Sequence, residues 1–150
     1  MFKDGIKANG TVSIVLQDEH GNVKETCKVK NLIVDTGLDF IASRMKDATA
    51  TAMTHMAAGS GTTAASASDT DLESILGSVE LLDSTNVTDN SIVYISTFEA
   101  GDATGTVSEL GIFNAASGGT MLCRTVLGSA ITKSATDQMQ VTWTITITAS

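Results

Sequence analysis

Apolar and polar residues alternate along most of this chain, most plainly from Ser108 to Leu127 (SELGIFNAASGGTMLCRTVL). Two alternating runs there flank Ala115-Ala116-Ser117-Gly118-Gly119, whose small residues and paired glycines suit a tight connection. The spacing predicts a β-hairpin. Its first strand puts Leu110 and Ile112 on one face and Glu109, Gly111 and Phe113 on the other, and its return alternates Leu122, Arg124 and Val126 with Met121, Cys123 and Thr125. Apolar residues on both faces place this hairpin at the centre of a sheet.

The same period recurs before and after it. Val12, Ile14 and Leu16 alternate with Thr11, Ser13 and Val15 as far as Gln17, and Asp18 to Asn22 turns the chain. Val23, Glu25, Cys27 and Val29 then oppose Lys24, Thr26, Lys28 and Lys30, giving a second hairpin. Residues 1–10 have little periodicity and are read as an N-terminal arm, ahead of a single domain over 11–150. Asn31 to Val34 continues extended, and Asp35 or Thr36 offers a side-chain oxygen to cap a helix over about residues 37–47. Leu38, Ile41, Ala42 and Met45 would form its buried stripe, so that it plugs one open end of a sheet structure.

A short strand fits Met53 to Ala58, whereas Gly59 to Asp71 has too little bulk to pack and reads as an ordered or mobile surface loop. Further strands are predicted over Gly77 to Asp83 and Ser91 to Phe98, with Ser84 to Asn90 and Ala100 to Gly105 as polar connections. In Gln138 to Thr148, Met139, Val141, Trp143, Ile145 and Ile147 alternate without a fault against an outer row made mostly of threonine. About eight strands with one short helix and no βα alternation predict a mainly β protein, an antiparallel two-sheet sandwich of jelly-roll-like kind.

Composition agrees with this picture and narrows the function. At 150 residues the chain is one domain, large enough for a core without metal or disulfide staples. It is 42% hydrophobic but only 4% aromatic and has no proline, so Val, Ile, Leu and Met must build the core. The net charge of −8 is uneven: residues 1–46 carry seven basic and six acidic side chains, residues 47–150 two and eleven. The acidic larger part would repel phosphate backbones, which argues against nucleic-acid binding. Lys24, Lys28 and Lys30 read first as a solvated strand face and second as a contact for an acidic partner. Cys27 and Cys123 sit at alternating strand positions and are read as buried free thiols. The N-terminus lacks the apolar core of a signal peptide and no apolar run approaches the roughly eighteen residues of a membrane span, so a soluble cytosolic product is expected.

Candidate chemistry is sparse. His20, in a turn, and His55, on a strand, stand outside any catalytic motif, and no P-loop, GxSxG, HExxH or CxxC pattern occurs. Asp69, Asp71 and Glu73 alternate as calcium ligands can, but without the spacing of an EF-hand, and a charged loop edge explains them as well. Arg124, mid-strand in an acidic region, is expected to pair with a carboxylate such as Glu109 across the hairpin, an arrangement a subunit interface would also use. The expectation is no enzyme, with no catalytic, cofactor-binding or metal-binding residue.

The succession VKNLIVDTGLDFIASRM, a small-residue loop, SELGIFNAASGGTMLCRTVL and a closing VTWTITIT resembles a family of small tailed-bacteriophage virion proteins, often labelled phage structural or tail-fibre-like. The resemblance covers about residues 28–148 and rests on Asn31-Leu32-Ile33 with Gly37, on Glu109 to Asn114, and on Gly118-Gly119 with Met121, Leu122 and Arg124. These are fold motifs. They imply a non-enzymatic virion protein and leave its place in the particle open; the short N-terminal arm, acidic body and locally basic first hairpin suit a capsid decoration (cement) protein on the head exterior, with the major capsid protein or other virion subunits as partners and a homotrimer as its state. A tail, baseplate or receptor-binding fibre component is the alternative that the resemblance leaves open.

Overall fold

In a computed structural model the chain forms two five-stranded antiparallel sheets packed face to face with one short helix; the structure describes residues 5–46 and 50–150. In chain order the elements are β1 (Ile6–Gln17), β2 (Val23–Lys30), β3 (Leu32–Ile33), α1 (Asp35–Ser43), β4 (His55–Gly59), β5 (Glu80–Leu81), β6 (Ser84–Thr88), β7 (Ser91–Phe98), β8 (Gly105–Phe113), β9 (Met121–Lys133) and β10 (Gln138–Ala149). One sheet runs β2-β1-β10-β7-β6 and the other β3-β9-β8-β4-β5. The two-sheet sandwich read from the alternation is therefore the fold. The β1–β2, β6–β7 and β8–β9 hairpins each stay within one sheet, where a jelly roll sends successive strands to opposite sheets, so likeness to a jelly roll stops at the architecture.

Register follows the burial pattern. Val12 faces Trp143, which faces Tyr94, and Ile14 faces Val141, so one row of side chains from β1, β10 and β7 points inward. From the other sheet, Leu110, Ile112, Cys123 and Met56 meet them, and Trp143, Phe98, Ile14 and Leu110 are completely buried. A one-residue slip in any of these strands would exchange its core face for its polar face, which is why the alternation fixes the pairing. Opposite the core, Lys28, Ser13, Thr142, Ile95 and Ser84 lie in one row across the first sheet, and Lys30, Thr11, Thr144, Val93 and Asn86 in the next. The charged groups in these two rows are the lysines of the edge strand β2.

Several expectations are corrected. Strand β1 begins at Ile6, and Ile6 to Gly10 pair with Ala149 to Ile145, so this part of the predicted arm is strand; residues 1–4 lie outside the described residues. The segment read as a polar connection contains β6, an edge strand whose side chains are nearly all exposed and so show no alternation. Conversely, the strand expected over Gly77 to Asp83 is only the two-residue β5, and Leu81 is exposed.

Helix α1 starts earlier and faces differently than its leucine and methionine spacing suggests. Val34 occupies the N-cap without a side-chain cap bond, while the Thr36 hydroxyl donates to the Met121 carbonyl at 2.9 Å. Gly37, Phe40 and Ile41 form the side turned to the sandwich, and Leu38, Ala42 and Met45 are exposed. Position 47, where the helix was expected to end, lies outside the described residues. Glycine contributes nothing to an apolar stripe, yet Gly37 decides the orientation: any Cβ there would overlap the Leu122 carbonyl.

Candidate functional site

The most concentrated polar chemistry lies on the outer face of the second sheet, beneath the alanine, threonine, serine and glycine segment. Residues 60–76 leave β4 and return beside it, with the Ser60 amide donating to Ser74 O at 2.8 Å and the Leu76 amide to Ala58 O at 2.9 Å. The intervening loop closes at its base as an Ω-like strap. Its tip reaches α1, where the Asp35 amide donates to Ala67 O at 2.8 Å. On the underside Leu72 packs with Val34, Ala57, Phe113 and Met121, a small second core outside the main one.

Glu109 and Arg124 hold the strap down. They share the outer face because Arg124 pairs with Gly111 in the β8–β9 register, one diagonal step from Glu109. Glu109 is fully buried and accepts four hydrogen bonds, from the amides of Gly61, Glu73 and Ser74 at 3.0, 3.0 and 2.8 Å and from Arg124 Nε at 2.9 Å, with Arg124 Nη2 in ion-pair contact at 2.8 Å. Arg124, 2% exposed, also donates through Nη1 to Asp69 at 2.8 Å and through Nη2 to Thr63 O at 3.0 Å. Burial works against its charge, but the bonds to Glu109 and Asp69 outweigh that and hold the guanidinium above its ordinary range.

The strap's own carboxylates complete the arrangement. Asp69 accepts from the Ser66 amide at 2.8 Å, and that bond, helped by Arg124, lowers its pKa. Glu73 accepts from the Thr63 amide and hydroxyl, both at 2.9 Å, and is lowered chiefly by them. Gly59 and Gly61 leave room for the Glu109 carboxylate; a Cβ on either would collide with it. The expected Glu109–Arg124 pair is therefore present, and Asp69 and Glu73 turn toward the arginine. Asp71 instead accepts the Leu72 amide at 2.8 Å, and no group of three metal-ligating side chains occurs among the described residues.

The sequence reading missed that Thr63 and the strap amides belong to this cluster. The signal was indirect: a buried acid and base on adjacent strands need partners, and a loop rich in small residues can bring its backbone to within bonding distance of them.

A second charged group sits at the β9–β10 turn. Asp137 is 1% exposed, takes a 2.7 Å ion pair from Lys24 and accepts the Ser134 amide at 2.8 Å. Nearby, buried Lys133 donates to Glu99 O at 2.8 Å, tying the β7–β8 turn to β9, and burial lowers its pKa. The Lys24 bond, followed by the Ser134 amide, brings Asp137 down to about 2 from 3.8. The stability this carboxylate adds is then present above 3.8 and lost as pH falls toward 2. In a carboxyl-detected NMR titration Asp137 should report a midpoint near 2, and Lys24→Met should move it back toward 3.8; a midpoint unmoved by that change would remove Lys24 as the cause.

The remaining candidates are dispersed. His20 is exposed in the β1–β2 turn, and His55 Nδ1 lies 2.8 Å from the neighbouring Thr54 hydroxyl. Cys27 is half-buried in the first sheet, Cys123 is buried in the second, and both are free thiols. No helix among the described residues is long and apolar enough to cross a membrane. No protein-family model, curated protein or solved structure matches the chain.

Proposed function

We propose that this chain is a non-enzymatic structural protein of a bacteriophage virion, a decoration protein that seats on the head exterior and stabilises it by adhesion. The supporting observation is the contrast between its two outer faces. The deeply buried acid and base, Glu109 and Arg124, are consumed in fixing the strap over one sheet. The other sheet presents a broad face of threonine, serine and asparagine, interrupted by half-buried Val93 and Ile95 and edged by Lys28 and Lys30. A face of that kind offers many small polar contacts, and β2 offers an unpaired strand edge whose lysines discourage indiscriminate strand addition. On a symmetric shell such modest contacts are multiplied by the number of copies, so avidity replaces individual strength.

The test is a side-chain-resolution map of the virion that carries this protein. Density for a ten-stranded sandwich on the head surface, with the β2 edge turned toward the capsid subunits, is the expected result. The same sandwich at the tail or baseplate, or particles lacking it, would overturn the assignment.

A further inference from the structure

At the end of the sandwich beside α1, the chain leaves an apolar groove open. A space of about 450 Å³, open to solvent, lies between Phe40 and Ile41 of α1 on one wall and Ile92, Tyr94, Ile145 and Ile147 of β7 and β10 on the other. Three large apolar residues close to it are strongly exposed. Val87, on the β6 edge and itself lining the groove, is 70% exposed; Met45, next to Arg44, is 82%; and Ile6, which starts the strand whose Ala8 faces Ile147, is 74%. Isolated exposed apolar residues are ordinary, but several around one apolar groove mark a surface meant to be covered.

Charge identifies what covers it. The charged residues that line the groove are Arg44 on the α1 wall and Asp89 on the β6–β7 turn of the facing wall. Arg44 lies over the Phe40 ring, 5.7 Å from its centroid, and donates through Nη1 to Ala50 O, its one side-chain hydrogen bond among the described residues. One positive and one negative wall make a self-complementary pair. A twofold rotation brings Arg44 of each copy to Asp89 of the other and lays groove against groove, the reciprocal geometry of an isologous contact. Elsewhere a chain of net charge −8 repels its own kind, but here the charges cancel and β6 carries none from Ser84 to Thr88. We infer that this groove is the face through which the chain binds a second copy of itself, as a twofold dimer in place of the homotrimer expected from the sequence.

This contact is independent of where on a particle the protein sits, so it stands or falls apart from the decoration reading. Sedimentation equilibrium of the full chain should show a dimer. Val87→Asp, at an exposed position, should weaken it at least tenfold with unchanged circular dichroism. Arg44→Glu and Asp89→Lys should each weaken the dimer, because each homodimer then holds two like-charged pairs. An equimolar mixture of these two variants should associate again, since every pair across that heterodimer is of opposite sign. A monomer at all concentrations, a dimer indifferent to these substitutions, or a mixture that fails to reassociate would overturn the inference. So would a monomer whose groove binds 1-anilinonaphthalene-8-sulfonate in a Val87-dependent way, which would identify a small apolar molecule as the occupant.

Discussion

Replacing Glu109 by alanine should cost about 3–5 kcal/mol of unfolding free energy, the scale on which one partner of a buried ion pair is lost. The carboxylate accepts three strap amides besides the arginine, so its removal leaves Arg124 buried beside unanswered backbone donors. Arg124→Met should cost less, because Glu109 keeps those three amides and Asp69, already partly exposed, can turn to water. The double variant Glu109→Ala with Arg124→Met should be less destabilised than the sum of the singles, since no charge is left unpaired. Urea unfolding of the four proteins measures this cycle. Amide exchange adds a local readout: in Glu109→Ala the amides of Gly61, Glu73 and Ser74 should lose protection before those of β10. Equal protection in the variant would mean that the strap is held by Leu72 and not by the carboxylate.

Gly37→Ala should destabilise the protein, against the usual gain from replacing a helix glycine. Alanine is favoured over glycine by about 1 kcal/mol within a helix. At this position, however, the added Cβ would overlap a backbone carbonyl, that of Leu122, which cannot move without disturbing β9. The carbonyl also accepts the Val34 amide at 3.3 Å, so displacement breaks the bond that leads the chain into α1. Overpacking of this kind costs about 1–3 kcal/mol, which reverses the sign expected from propensity. A melting temperature above that of the wild type would show that α1 can lift away freely.

What the sequence revealed divides along physical lines. The inward rows of β1, β7 and β10 were legible because strands with one buried face must alternate, and the β8–β9 hairpin, buried on both faces, was legible from two apolar-rich runs about the Gly118-Gly119 turn. The Glu109–Arg124 pair was legible too, since opposite charges on facing strands in an apolar neighbourhood have few other partners. Strand β6 was not: an edge strand with both faces wet has no reason to alternate. The face of α1 was missed because a glycine, invisible to any hydrophobic count, sets how closely the helix approaches β9. The strap was missed for a related reason. Its docking depends on backbone amides, which every residue carries, so no side-chain pattern announces which ones Glu109 will select.

The central seam of the first sheet joins the two ends of the chain. Strand β1 lies between β2, its neighbour in sequence, and β10, with Gly10 facing Ile145 and Leu16 facing Met139. During synthesis β1 and β2 therefore wait as a hairpin with one edge unsatisfied until β10 is released. The second sheet, drawn wholly from residues 32–133, has all of its strands by then. Closure across such a sequence separation is slow, because the loop entropy must be surrendered before the pairing rewards it. Folding should accordingly end with β10 sliding between β1 and β7, and a chain halted before Gln138 should display two strand edges that the finished protein never exposes.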